Sequence, residues 1–311
     1  MPRPLTLAAA QLGPIPRSQS RAEVVQRLLG LMRDAAKRGC DLIVFPEAAL
    51  TAFFPHWWIE DEAELDSWFE TSMPSNETAP LFEEARRSGI GFHLGYCELT
   101  LEGGRKRRFN TAILVDKAGR IVGKYRKIHL PGHADHQPHR PFQNLEKRYF
   151  EVGDLGWRAW ATMGGVMGMM ICNDRRWPEA WRVLGLQGVE LVMLGYNTPQ
   201  HDPAMPQTDP LQDFHNHLSM QAGCYANGTW AVCTAKAGEE EGVMQIGGSC
   251  IIAPSGQIVA QALTRGDELV VATCDLDACR PYKETMFNFA RHRRPEHYRM
   301  IVERTGSVAP D

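Results

Sequence analysis

"MMICNDRRWPEAWR", residues 169–182, changes character at its fourth position. Met169, Met170 and Ile171 read as buried β-strand, and Cys172 ends the run. Asn173, Asp174, Arg175 and Arg176 follow at once, and Pro178 opens a helix at the one place where its missing N–H is harmless. A strand, a short polar turn and a helix in immediate succession form a βα unit, the building block of α/β proteins.

The same alternation extends in both directions. Residues 5–11 read as a strand, and 20–39 as an amphipathic helix with Ser20 as N-cap and Gly39 as its stop. The apolar strand 41–47 halts at Pro46. A polar helix at 77–88 precedes a strand at 90–99, and 109–127 forms a hairpin turning at 117–120. Beyond the opening stretch come a helix at 178–187, a strand at 189–195, a helix at 211–226 ended by Asn227-Gly228, and a strand at 229–235. A second hairpin, 243–274, turns at "PSG". Only "IHLPGHADHQPHRPFQNLEKRYFEVGD", 128–154, lacks periodicity, and a loop of that length is usually functional or disordered. The expectation is an α/β fold with helix-covered sheets, in one domain over 1–275. The basic, aromatic tail 276–311 would pack on that domain or on a partner subunit.

Composition excludes several classes. With 34 basic and 37 acidic residues the net charge is −3, so no basic face for nucleic acid is expected. The longest apolar-rich stretch, 159–172, is too short and glycine-rich to span a bilayer, and the N-terminus reads as a core strand rather than a secretion signal. The eight cysteines are scattered without a CxxC pair, as for reduced thiols in a cytoplasmic protein.

Three strand ends carry groups that packing does not require. Cys172 sits where a sharp turn holds a side chain clear of the sheet, and the field of the following helical turn would favour a thiolate. The bland alternative is an inert buried thiol. Glu47 ends "LIVFPE", at the carboxyl end of a strand, where ligands bind in parallel sheets. A half-desolvated carboxylate there can take a proton near neutrality; it could also simply cap the next element. Lys127 ends "IVGKYRK" and could neutralise a developing oxyanion, or be a surface lysine. Four histidines in the loop (His129, His133, His136, His139) invite a metal site, but their spacing is loose and lacks an HExxH-type context, so no metal is expected.

"FPE", "KYRKIHLPG" and "ICNDRRWPE" together resemble the Glu-Lys-Cys signature of the nitrilase superfamily of carbon-nitrogen hydrolases. "TAFFP" (51–55), "RPFQNLEKRYFEVGD" (140–154), "GYNTP" (195–199) and "LSMQAGCYANG" (218–228) narrow the likeness to the N-carbamoyl-D-amino-acid amidohydrolases, over almost the whole chain. The resemblance implies a four-layer αββα sandwich, a homo-oligomer and no cofactor. It implies Glu47 as general base, Lys127 as oxyanion stabiliser, Cys172 as nucleophile and Glu146 as a second active-site carboxylate. Arg175 and Arg176 would hold the carboxylate of an N-carbamoyl amino acid, with Asn173, His129, Asn144, Asn197, Thr198 and His215 completing the substrate-binding set. Asn144 is a departure, since the family generally carries His there; Asn can hydrogen-bond but cannot take charge near neutrality. The competing readings are the same chemistry on another ureido or amide substrate, a metal-dependent hydrolase, and a silent protein on a hydrolase-like fold.

Overall fold

The computed structural model describes residues 2–310. Its strands are β1 (Pro4–Gln11), β2 (Leu42–Val44), β3 (Gly91–Glu102), β4 (Arg105–Val115), β5 (Ile121–Arg126), β6 (Ala159–Thr162), β7 (Gly165–Ile171), β8 (Leu191–Tyr196), β9 (Trp230–Ala235), β10 (Ala237–Glu240), β11 (Val243–Ile246), β12 (Cys250–Ile252), β13 (Ile258–Gln261) and β14 (Glu268–Asp275). The helices are α1 (Arg21–Lys37), α2 (Glu62–Ser67), α3 (Ala79–Ser88), α4 (Glu146–Tyr149), α5 (Pro178–Leu186), α6 (Gln212–Asn227), α7 (Arg280–Glu284), α8 (Phe289–His292) and α9 (Arg299–Glu303).

Two mixed six-stranded sheets result, ordered β14-β1-β2-β3-β4-β5 and β13-β12-β9-β8-β7-β6. Strand periodicity decides how they stack. Leu7, Ala9, Leu42, Val44, Ala112 and Leu114 point into the core between the sheets, while their neighbours Ala8, Ala10, Ile43, Phe45, Ile113 and Val115 point outward under α1 and α3. On the far side Trp181 and Leu184 of α5 and Met220 and Cys224 of α6 cover the second sheet. The layers are therefore helix, sheet, sheet, helix, the expected four-layer αββα sandwich.

Local signals explain the helices. Ser20 and Glu23 form a reciprocal capping box (Ser20 N to Glu23 Oε2, 2.8 Å), and Val24, Val25, Leu28, Leu29, Met32 and Ala35 give α1 its buried stripe. Gly228, at φ 56°, ends α6 in the left-handed conformation that favours glycine.

The proposed hairpin at 243–274 does not form as one unit. Only β12 and β13 pair across "PSG"; β11 pairs with β10, and β14 leaves the second sheet altogether to pair antiparallel with β1. Local turn chemistry is satisfied at "PSG", but β14 finds a longer partner in the eight-residue register of Pro4–Gln11. The tail lies over α5 and α6 of its own chain: Lys283 Nζ donates to Val189 O at 2.7 Å, and Phe287 packs edge-on against Tyr225.

Candidate active site

Sheet direction brings the chemistry to one rim. β2 runs parallel to β1 and β3, and β5, two antiparallel steps beyond β3, runs the same way; β7 and β8 are parallel in the second sheet. Glu47, Lys127, Cys172 and Asn197 all lie just past the carboxyl ends of these strands. The sheets approach closely where Glu47 emerges: a Cβ on Gly95 would stand 2.5 Å from the Pro46 carbonyl oxygen, and one on Gly195 2.5 Å from Glu47 N. Two glycines facing each other across the sandwich thus leave room for the Pro46–Glu47 backbone.

Lys127, fully buried, joins two carboxylates: Nζ lies 2.7 Å from Glu47 Oε1 and 2.6 Å from Glu146 Oε2. Glu47 is held further by Asn110 Nδ2 (2.7 Å) and by the backbone N–H of Asn197 (2.9 Å). The Cys172 thiol donates to the carbonyl of that same Asn197 at 3.3 Å. One peptide unit on each side of the Asn197 Cα therefore ties nucleophile to carboxylate. The signature residues converge as the sequence implied.

Cys172 itself adopts φ +47°, a left-handed conformation unusual for a residue with a side chain, and Ala48, following Glu47, adopts +46°. Such strain persists where surrounding bonds over-determine it. Asp174 provides them: Oδ2 accepts from Ile171 N (3.0 Å) and Tyr125 OH (2.8 Å), and Oδ1 from His129 N (3.0 Å) and Nδ1 (2.9 Å).

Charge in the cluster follows from burial and neighbours. Burial alone would discharge Lys127, but the Cys172 sulfur when ionised, and the Glu146 and Glu47 carboxylates, outweigh it and hold the ammonium charged, its pKa raised. Burial pushes Glu146 up to about 7, helped by Glu47 and opposed by Lys127. Burial and then Glu47 raise the Cys172 thiol, against Lys127 and Arg175. The sequence leads one to expect that this turn eases formation of the thiolate; in the folded protein the thiol is instead harder to ionise. The turn after Cys172 is a short 3₁₀ segment in a dry site, and its field does not offset desolvation.

A cavity of about 920 Å³ lies between α5, α6 and the tail, and Arg175 and Arg176 are among its lining residues, but Cys172 is not. The cavity that reaches Cys172 measures about 620 Å³, with Glu146, Asn197 and Thr198 beside the sulfur and Phe53, His56, Phe142, His133, Asn144, Arg140, Arg176 and His215 on its walls. The implied substrate residues divide here. Arg176, Asn144, Asn197, Thr198 and His215 stand on the wall. Arg175 does not: it is buried, its Nη1 on Cys172 O (2.7 Å) and its Nη2 on Thr198 Oγ1 (2.9 Å), with the guanidinium 4.6 Å from the Tyr196 ring. Asn173 donates to His129 O and accepts from Arg176, and His129 stands behind the nucleophile turn, stacked on Trp177. His133 takes the wall position that His129 was expected to fill.

Two residues escaped the sequence reading, Asn110 and Asp174. The signal for Asn110 was a fully buried amide inside the apolar strand "FNTAILV"; Asp174 was overshadowed by its arginine neighbours. Among the described residues no group of three His, Cys, Asp or Glu side chains could hold a metal ion. The loop histidines find separate surroundings: His129 on Asp174, His136 stacked on Trp58, His133 at the cavity. No helix of the described residues is long and apolar enough to cross a membrane.

A thiol, an ammonium and two carboxylates thus meet at the joint rim of an αββα sandwich. Comparison with known proteins places the chain: the carbon-nitrogen hydrolase model matches residues 6–284, and the chain belongs to that family. It is 28% identical to N-carbamoylputrescine amidase of Arabidopsis thaliana, over 89% of each chain. It is 30% identical to a nitrilase of Pyrococcus abyssi (strain GE5 / Orsay), over 86% of this chain and 90% of that one. The crystal structure of a carbon-nitrogen hydrolase from Helicobacter pylori G27 superposes with a TM-score of 0.82 at 23% identity, covering 97% and 99% of the two chains.

Proposed function

We propose that the protein hydrolyses N-carbamoyl-D-amino acids to the D-amino acid, ammonia and carbon dioxide. The observation that carries this reading is Arg176. Arg175 is locked behind the nucleophile, which leaves Arg176, the guanidinium nearest Cys172 in sequence, on the wall of the cavity floored by Cys172, with Arg140 also on that wall. A planar fork at that place suits a substrate carboxylate.

In the reaction the Cys172 proton passes to Glu47 as sulfur attacks the ureido carbonyl. Lys127 and the Asn173 backbone N–H take the negative charge that develops on oxygen. Collapse expels one nitrogen as an amine protonated by Glu47 and leaves a thiocarbamate on sulfur, whose hydrolysis gives a carbamic acid that splits into the second amine and carbon dioxide. Glu47 then withdraws a proton from water, which releases the acyl group. One water consumed per substrate balances amino acid, ammonia and carbon dioxide. Glu146 keeps Lys127 in place throughout.

Feeding racemic N-carbamoyl-phenylglycine and resolving the product by chiral chromatography tests the proposal. Accumulation of D-phenylglycine alone is the expected result. Preferred turnover of N-carbamoylputrescine, of N-carbamoyl-L-amino acids or of β-ureidopropionate would replace it with the corresponding relative's chemistry. Full activity after exhaustive chelation is expected, since no step needs a metal.

The same reading includes a cytoplasmic site of action, in keeping with eight free, buried thiols. It also includes a homo-oligomer, formed through the exposed apolar residues Val183, Leu186, Phe214 and Leu218 of α5 and α6. Light scattering on the purified protein reads the subunit number directly.

A further inference from the structure

Away from the reacting atoms lies a second buried ion pair that the mechanism does not use. Lys236, fully buried just before β10, reaches Glu240 at the end of that strand, with Nζ 3.1 Å from Oε2. Neither charge is idle. Lys236 Nζ also donates to Thr51 O at 2.5 Å, and Glu240 accepts from Phe53 N (2.6 Å, Oε1) and Ile15 N (2.9 Å, Oε2). A buried pair is a poor stabiliser relative to apolar residues of like volume, so its chief effect is to fix what it bonds.

What it bonds is one wall of the cavity. Thr51 and Phe53 belong to the turn that carries Phe53 and His56 to the cavity surface, where the His56 ring meets Phe53 and Phe142 edge-on, 5.0 Å from each. The turn continues the connection: Pro55 O accepts from Leu145 N (2.9 Å) and His56 O from Gln143 N (3.2 Å), the residues leading directly to Glu146. Burial and the Lys236 charge hold His56 neutral, pulling it down to about 3, so this wall is aromatic rather than cationic.

The opposite wall hangs from the same ribbon. β11, hydrogen-bonded to β10, receives Gln200 N on Met244 O (2.8 Å) and donates Ile246 N to Thr198 O (3.0 Å). The β10–β11 ribbon thus grips Thr198–Gln200 through its backbone and Thr51–Phe53 through its ion pair.

We infer that Lys236 and Glu240 are positioning residues which set the spacing between the Phe53–His56 wall and Cys172, and so select the size and aromaticity of the substrate side chain. This rests on the cavity at Cys172 being the substrate site, and the test is chosen to fail independently of the substrate assignment.

The test compares alkylation of Cys172 by iodoacetamide and by N-benzyl-iodoacetamide, followed peptide by peptide in the mass spectrometer, in the full-length protein and in Lys236→Met, Glu240→Ala and Glu240→Gln. In Lys236→Met and Glu240→Ala the benzyl reagent should lose roughly tenfold against iodoacetamide, the scale expected when a positioning contact shifts by a fraction of an ångström. Iodoacetamide itself should change less than about threefold, because it needs only the thiol and its immediate neighbours. Glu240→Gln, which keeps an acceptor for the Phe53 N–H, should restore most of the selectivity. If a single variant does not fold, the double variant Lys236→Met/Glu240→Gln removes both charges together and leaves none unpaired. An unchanged ratio in the variants, or equal slowing of both reagents, overturns the inference. Should the variants lose the benzyl selectivity while the wild-type protein ignores N-carbamoyl amino acids, the substrate assignment falls and this inference stands.

Discussion

The floor and the rim of the cavity are built on different terms. On the floor Glu47, Lys127, Glu146 and Cys172 are all buried, and each is bonded to another member of the set or to the Asn197 backbone. On the rim Arg176 and His215 are exposed and His133, Asn144 and Arg140 half-buried, held mainly by loop backbone such as His133 N to Asn144 O (2.9 Å). Strand ends of two packed sheets cannot move independently, whereas loops can. The chemistry is therefore tied to the fold, and the choice of substrate to what the loops present.

The contrast can be broken most decisively at the floor. Cys172→Ala should reduce turnover at least about 10,000-fold with the fold intact, the loss seen when a nucleophile acting as part of a unit is removed. Near-normal turnover in Cys172→Ser would end the covalent mechanism. Lys127→Met should lose on the order of 1,000-fold in kcat, measured by ammonia release, because the oxyanion keeps only backbone donors.

The neighbours Arg175 and Arg176 sharpen the comparison next. Arg176→Ala should raise KM for an N-carbamoyl amino acid by roughly 10- to 100-fold and leave kcat nearly unchanged, as expected for a lost charge-assisted contact. Arg175→Ala should do the reverse, lowering kcat with little effect on KM, since it frees the Cys172 carbonyl and Thr198 rather than the substrate. Equal behaviour of the two variants would erase the distinction drawn between them.

Glu146 gives a pH signature. Its carboxyl is pushed up to about 7 in the folded protein, above the ordinary carboxylate range of the unfolded chain. Across that window the native state holds a proton that the unfolded state has released, so this group's contribution is fully present below the window and lost as pH rises through it. Glu146→Gln should flatten that part of the stability curve, read by urea unfolding at stepped pH. The smallest effect belongs to the rim: Asn144→His should change kcat/KM by less than about threefold but add a titration to its pH profile near the histidine range.

The same division explains what could be read in advance. Strands ending in Glu47, Lys127 and Cys172 are visible because a charge or thiol at a strand end has no packing reason to be there, while the runs 5–11 and 41–47 mark strands without telling which side chain faces which layer. The roles of Arg175 and Arg176 are not separable from sequence, because one step around a 3₁₀ turn sends identical side chains to opposite sides. His129 could not be taken from the cavity without knowing that Asp174 faces it. The partner of β14 lies more than 250 residues away along the chain; no local pattern encodes it.

That last pairing has a bearing on synthesis. β1 is flanked by β2 on one side and by β14 on the other, so it is an interior strand only once residue 275 has been made. Until then a nascent chain presents Leu5–Gln11 as an open hydrogen-bonding edge, a template for pairing with a neighbouring chain. Fragments that stop before β14 leave that edge uncovered, whatever the quality of the nucleophile they already contain.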